Sequence, residues 1–344
     1  MEGPYHALRV AKVVQETADA RSLVLEVPEA LRARFAYRAG QFLSFRVPLA
    51  GGRLVRCYSL ASAPGVDDAW KVTVKRVAGG RVSSWMNEAV REGDVLEVMP
   101  PAGRFCLTER NAGLVLLGGG SGITPLISLL KTALATTGRP VRLLYANRDR
   151  GSIIFRAELE DWVRRHPGRL EVAHRLDAEE GFADQAAVRR FVGASLAADF
   201  YVCGPGPFME VAERALLGLG VARERIFIER FEYTGEGQPR DLAAPAPEAC
   251  AGGAARAVVR LDGAEHEIDV RSGETIVQAV RRAGLEPPTS CEEGYCGCCM
   301  ARLREGEGRM KANDVLTPAQ LAEGWVLTCQ LVPSSARLRI EYPD

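Results

Sequence analysis

The sequence predicts three domains in series: an antiparallel β-barrel, a doubly wound parallel α/β sheet, and a small mixed sheet with one crossing helix. Three observations carry this. Short alternating strands fill the first third, fully apolar strands alternate with amphipathic helices in the middle, and a cysteine-rich loop dominates the end. A chain of 344 residues, 47% hydrophobic and 26% charged, is long enough for two or three ordinary globular cores.

The barrel is expected over 1–110. Strands read at 7–14, 21–27, 42–47, 54–60, 70–77 and 94–99, separated by turn signals such as Ala50-Gly51-Gly52 and Gly79-Gly80. Six short strands at this spacing suit an antiparallel barrel. One helix, over about 83–91, interrupts them.

From 111 to 234 the rhythm changes. Apolar strands at 114–117, 141–145, 170–174, 199–203 and 226–229 alternate with helices near 125–135, 154–165, 184–193 and 206–218. Strands buried on both faces lose the two-residue alternation, so this pattern predicts a parallel sheet covered by helices. Residues 235–256 are rich in Ala, Pro and Gly without apolar periodicity and read as a linker. The last domain, 257–344, opens with a hairpin around Asp262-Gly263. A helix near 274–283 and strands at 300–304, 325–329 and 337–342 follow.

The chemistry concentrates in Ser290-Cys291-Glu292-Glu293-Gly294-Tyr295-Cys296-Gly297-Cys298-Cys299. Cys291, Cys296 and Cys299 follow C-x4-C-x2-C, and Cys329 stands alone further along, the plant-type spacing for a [2Fe-2S] cluster. Gly294 and Gly297 let the loop curl without side chains in its way. Structural zinc sites favour two close pairs, and a disulfide framework does not suit a long chain of this kind. Cys298 is expected to be a spectator.

Earlier stretches suit nucleotides. Arg56, Tyr58 and Ser59 lie at a strand end, where they offer a phosphate partner, an aromatic cover and a hydrogen bond to a flavin. Core packing of Tyr58 and ion pairing of Arg56 are the plain alternative. Gly79-Gly80-Arg81-Val82-Ser83-Ser84 precedes a helix, with a serine at the N-cap and free N–H groups suited to a pyrophosphate. Gly118-Gly119-Gly120-Ser121-Gly122-Ile123-Thr124-Pro125 follows the first apolar strand. Thr124 is expected to cap the next helix with Pro125 at its first position. No lysine follows this turn, which argues against a Walker A site. At the next strand end Asp149 suits ribose hydroxyls, whereas Arg148 or Arg150 suits a 2′-phosphate. Cys203-Gly204-Pro205 and Phe231 close the fourth and fifth strands.

Charge adds exclusions. Lys plus Arg and Asp plus Glu both total 44, giving no nucleic-acid footprint. No apolar run reaches the length of a membrane span, and Met1–Val14 lacks a signal-peptide core. Nine cysteines then fit a reducing compartment, and the cytoplasm is the expected location. The four histidines are scattered, so no acid–base constellation emerges.

In this order, the motifs Arg56-Cys57-Tyr58-Ser59, Gly79–Ser84, Gly119–Pro125, Cys203-Gly204-Pro205 and the four cluster cysteines resemble the ferredoxin–NADP reductase superfamily. Within it the chain resembles members with a C-terminal β-grasp plant-type ferredoxin, such as the reductases of 3-ketosteroid 9α-hydroxylase and phenylacetyl-CoA epoxidase. The resemblance covers about 5–342. It implies FAD, held by Arg56, Tyr58 and Ser59 with Lys75 a further candidate, and met at its pyrophosphate by Gly80, Val82, Ser83 and Ser84. It implies a nicotinamide site at Gly120, Thr124, Cys203, Gly204 and Pro205, with NADH favoured by Asn147-Arg148-Asp149 and NADPH open. Ser59 and Cys203 would stand nearest the hydride transfer, and Phe231 against the flavin. Electrons would pass through Cys291, Cys296, Cys299 and Cys329 and their cluster to a terminal oxygenase, Rieske non-haem iron or di-iron. Two other readings are a reductase for a hybrid-cluster or similar stress protein and a flavin/Fe–S redox-sensing module.

Overall fold

The computed structural model describes residues 5–49, 52–231 and 255–343, except 262, 286, 290, 291, 293, 295, 296, 314, 315 and 317. The chain divides into two compact units, the barrel with the parallel sheet and the C-terminal lobe.

In the barrel, strands β1 (His6–Thr17), β2 (Ala20–Glu26), β3 (Phe42–Leu49), β4 (Gly52–Ser59), β5 (Trp70–Lys75) and β6 (Val95–Val98) form one sheet in the order β4-β3-β6-β1-β2-β5. A bridge between Leu60 and Val72, with Ala61 N–H donating to Lys71 O, joins the two edges. Alternation does the sorting: Leu8 and Val10 point inward while Arg9 faces out. Leu23, Leu25, Phe35, Leu43, Phe45, Val72, Val82 and Met86 fill the centre. The helix α1 (Arg81–Glu88) starts two residues before its expected position.

Five strands then form a parallel sheet: β7 (Leu114–Gly119), β8 (Val141–Asn147), β9 (Leu170–Leu176), β10 (Asp199–Gly204) and β11 (Ile226–Arg230), in the order β11-β10-β7-β8-β9. The helices are α2 (Ile123–Thr136), α3 (Arg156–Arg165), the short α4 (Asp177–Glu180), α5 (Gln185–Val192) and α6 (Gly206–Gly218). Leu114 and Leu116 pack with α2 and α3, whereas Val115 and Leu117 pack with α5 and α6. Both faces are therefore covered, as the unbroken apolar runs require. The first core also takes in Ala20, Ala39, Ala61 and Phe105, so barrel and sheet share apolar packing.

The C-terminal lobe contains β12 (Ala255–Leu261), β13 (Ala264–Val270), α7 (Ile276–Arg282), β14 (Met300–Glu305), β15 (Gly308–Met310), α8 (Pro318–Ala322), β16 (Trp325–Leu327), β17 (Leu331–Pro333) and β18 (Arg337–Glu341). A mixed sheet runs β13-β12-β18-β14-β16, with β12 parallel to β18 and α7 packed against it. The pair β15–β17 and the helix α8 add to the expected elements. Strand β12 begins at Ala255, so the expected linker is shorter at its end, and 235–254 lie outside the described residues.

Candidate functional site

Sheet order locates the crevice. The chain builds β7, β8 and β9 outward on one side, then returns to place β10 and β11 on the other. Ligands bind at the carboxyl ends of the strands flanking such a switch, here β7 and β10. The backbones meet there closely. A Cβ on Gly122 would lie 2.1 Å from Cys203 O, and one on Gly119 would lie 2.8 Å from Pro205 Cδ. Gly120 has φ +52° and its carbonyl accepts from Tyr145 Oη at 2.9 Å. Only glycines leave room for backbone and ligand together. The helix starts earlier than expected: Gly122 caps α2, Ile123 is its first residue, and the Thr124 hydroxyl donates to Ser121 O at 3.1 Å. Thr124 thus braces the turn from within the helix, and Pro125 takes its third position.

Barrel and sheet bring three further groups to this crevice. Ser59, at the end of β4, donates to Glu229 Oε2 at 3.2 Å. Glu229 pairs in register with Cys203 on the neighbouring strand. Cys203 is fully buried, and burial together with the Glu229 carboxyl pushes its thiol well up. Burial also pushes the Glu229 carboxyl up to about 8, against the opposing effect of the Ser59 hydrogen bond. The residue as a whole keeps some exposed surface, yet its carboxyl is walled in. Glu229 was not among the expected site residues, although its place at the end of a parallel strand was the available signal. Phe231 follows β11 and packs on the same core as Cys203.

On β4, Tyr58 meets Phe45 edge to face at 5.7 Å and packs on the barrel core. Arg56 Nη1 donates to Val55 O at 2.8 Å. The Gly79–Ser84 stretch differs from expectation at its cap. Gly80 is the N-cap of α1, while Ser83 lies inside the first turn, accepting from Val77 N–H at 3.1 Å and donating to Gly80 O at 3.3 Å. The Val82 side chain belongs to the barrel core, leaving only its backbone for a ligand, and Ser84 is half-buried. The first-turn N–H groups of an eight-residue helix still point outward.

At the end of β8, Asn147 is buried with both amide atoms unpartnered. Asp149 accepts from Ser152 N–H at 2.9 Å in a capping box, so one carboxylate oxygen is already used. Arg150 pairs with Glu179 at 3.2 Å. Arg148 donates to Asp19 of the β1–β2 turn at 3.0 Å, and Lys75 reaches the same carboxylate at 4.0 Å. Lys75 therefore lies beside the glycine turn of the sheet, 3.6 Å from where a Gly120 Cβ would stand.

The glycine cradle and the orphaned Asn147 amide fit a dinucleotide, and the Ser59 hydroxyl with the α1 N-terminus fits a flavin.

In the C-terminal lobe, Cys299 and Cys329 are buried with sulfurs 3.2 Å apart. The Cys299 thiol and the Gln330 amide lower the Cys329 pKa against the effect of burial, favouring the thiolate that metals bind. Gln330 Nε2 donates to Cys329 Sγ at 3.4 Å and to Glu292 O at 2.6 Å. Thr328 donates to Cys299 O at 2.8 Å and accepts from Tyr342 Oη at 2.9 Å. Gly294 and Gly297 have φ of +89° and +75°, the conformation the expected curl requires. Two convergent sulfurs, one of them met by the Gly294 backbone N–H, fit an iron–sulfur group. Cys291 and Cys296 lie outside the described residues, and Cys298 is half-buried.

Three domain families match the chain in the same order. Residues 7–106 match the oxidoreductase FAD-binding domain, 116–214 the oxidoreductase NAD-binding domain, and 259–334 the 2Fe-2S iron-sulfur cluster binding domain. The chain is 43% identical over 340 residues to the ferredoxin reductase component of 3-ketosteroid-9-alpha-monooxygenase from Rhodococcus rhodochrous, spanning 97% of this chain and 96% of that one. The chain belongs to this family of oxygenase reductase components. Within the family, the reductase is also 32% identical to a component of the 1,2-phenylacetyl-CoA epoxidase of Escherichia coli K12, over 98% of both chains. Phthalate dioxygenase reductase superimposes with a TM-score of 0.61 at 25% identity, over 98% of both chains. The reductase is an oxidoreductase that carries electrons through FAD and a [2Fe-2S] cluster. Among the described residues, no helix is long and apolar enough to cross a membrane.

Proposed function

We propose that the reductase draws electrons from NADH and delivers them singly to a terminal oxygenase of the Rieske non-haem iron or di-iron type. The observation that carries this reading is the meeting of Ser59, Glu229 and Cys203 beside the glycine turn. The relatives named as oxygenase components support the kind of acceptor. FAD, when bound, supplies the conversion from two-electron to one-electron chemistry that nicotinamide lacks, and the [2Fe-2S] cluster supplies the one-electron exit.

The chain itself contributes positions. Arg56, Tyr58 and Ser59 would hold the flavin, with the backbone of Gly80 and Val82 and the Ser83–Ser84 turn at its pyrophosphate. Gly120, Thr124, Cys203, Gly204 and Pro205 would cradle the nicotinamide end, and Phe231 would shield the flavin face. Because its carboxyl holds a proton up to about pH 8, Glu229 keeps the crevice free of a negative charge at neutral pH. Cys291, Cys296, Cys299 and Cys329 would hold the cluster. The corresponding regions are 1–110, 111–234 and 257–344.

Anaerobic titration of the flavin-loaded protein with NADH and NADPH in parallel tests the donor. NADH should bleach the flavin with at least about a ten-fold higher kcat/KM, since Asp149 keeps one carboxylate oxygen for ribose hydroxyls and would repel a 2′-phosphate, while Arg150 is already paired with Glu179. Equal reduction by both would contradict the NADH assignment.

A further inference from the structure

Three charged side chains meet where barrel and sheet approach each other. Asp19 lies at the tip of the β1–β2 turn. Its carboxylate accepts from Thr17 Oγ1 at 2.9 Å and from Arg148 at 3.0 Å, and stands 4.0 Å from Lys75 Nζ. Arg148 belongs to the sheet and is 66% exposed, whereas the Lys75 and Asp19 side chains are 19% and 18% exposed. Lys75 comes from the barrel and ends 3.6 Å from the Cβ position of Gly120, whose turn presents backbone to the crevice. Two cations from two parts of the fold converge on one carboxylate, one of them beside the glycine turn, and so form an anion site. In this structure that anion is a residue of the chain.

We propose that Asp19 is an internal stand-in for the diphosphate of the nicotinamide dinucleotide, occupying Lys75 and Arg148 until the ligand displaces it. The inference rests on the dinucleotide reading of the crevice. The carboxylate supplies one negative charge and two acceptor oxygens, and a diphosphate supplies more of both. Exchange keeps both cations paired in either state, so the mostly buried Lys75 is never left without a counter-charge. Asp19 also sets a threshold. A ligand without the diphosphate gains nothing from displacing it, so adenosine or a lone nicotinamide ring leaves the pair closed.

The test uses the flavin-loaded full chain, with ADP as the diphosphate probe and adenosine as the phosphate-free control, both measured by calorimetry. Asp19→Asn keeps the shape and removes the charge. It should tighten ADP about five-fold at low salt, with the gain shrinking as salt is added, and leave adenosine unaffected. Adding Arg148→Ala to Asp19→Asn should abolish the gain. Unchanged or weaker ADP binding in folded Asp19→Asn protein would overturn the inference, because the carboxylate would then orient the cations and not compete for them. Should Asp19→Asn fail to fold, Arg148→Ala alone carries the test: ADP must weaken several-fold, and no change overturns the inference. If NADH does not reduce the flavin of the wild-type protein, the reading of the crevice fails. If it does, and the variants behave otherwise than stated, only the role of Asp19 fails.

Discussion

Glu229 shows how a single carboxyl acquires a function from its surroundings. Burial lifts its pKa from the ordinary value to about 8, so it is protonated and neutral at pH 7. The folded protein holds a proton that the unfolded chain releases above its ordinary pKa, so this group erodes stability as pH rises toward about 8. Above that, a negative charge enters the crevice beside Cys203. NADH-driven flavin reduction should therefore fall off near pH 8, and Glu229→Gln should remove that limb from the pH–rate profile. Gln330 acts at the other redox centre. Its amide hydrogen bond to Cys329 Sγ stabilises extra negative charge on the sulfur. Gln330→Leu should thus lower the cluster potential in an electron paramagnetic resonance redox titration. These residues also show what the sequence concealed. The cysteines announce themselves by spacing, since cluster geometry fixes the local chain. A strand end marks the position of Glu229 in the sequence, but its partner Ser59 lies 170 positions away, and Asp19 meets Arg148 across 129 positions, so their pairings show only in the fold.

At the scale of elements, the strands and their type were legible because burial on one face or both leaves different periodicities. All the predicted strands of the barrel and the parallel sheet are present. Caps were less legible. A serine and a threonine were expected to cap α1 and α2, yet glycines do so, because Gly80 and Gly122 sit where a side chain would strike Ser83 or Cys203. Close approach outweighs cap preference at these turns. The strands β15 and β17 have three residues each, too few for a period to show. The glycine contact yields a direct expectation. Gly122→Ala places a methyl group 2.1 Å from Cys203 O, so backbone must move. The variant should lose about 3 kcal/mol or more of stability, checked by chemical denaturation, and should weaken NADH binding.

Across the unit formed by barrel and sheet, a buried ion cluster joins the two parts. Lys131 of α2 is 1% exposed and contacts Asp67 at 2.6 Å and Glu158 at 2.9 Å, while Lys71 reaches Glu158 at 3.0 Å. Burial would raise the Glu158 pKa, but Lys131 and Lys71 hold it below the usual value. Its contribution to stability is present above the ordinary carboxylate range and is lost as acid protonates it. Removing the lysine in Lys131→Met should cost about 1.5–3 kcal/mol, read from urea denaturation, since the half-buried Asp67 loses this cation and Glu158 keeps only Lys71. Ser59 of the barrel also meets Glu229 of the sheet, the contact on which the proposed hydride transfer depends. Beyond that transfer, electrons must leave by way of the cysteine-bound cluster. The most direct measurement compares wild type and Cys296→Ser for two activities with NADH: bleaching of the flavin and reduction of cytochrome c. Flavin bleaching should persist in the variant while cytochrome c reduction falls by at least about ten-fold. Cytochrome c reduction at the full wild-type rate in protein shown to lack the cluster would contradict this route.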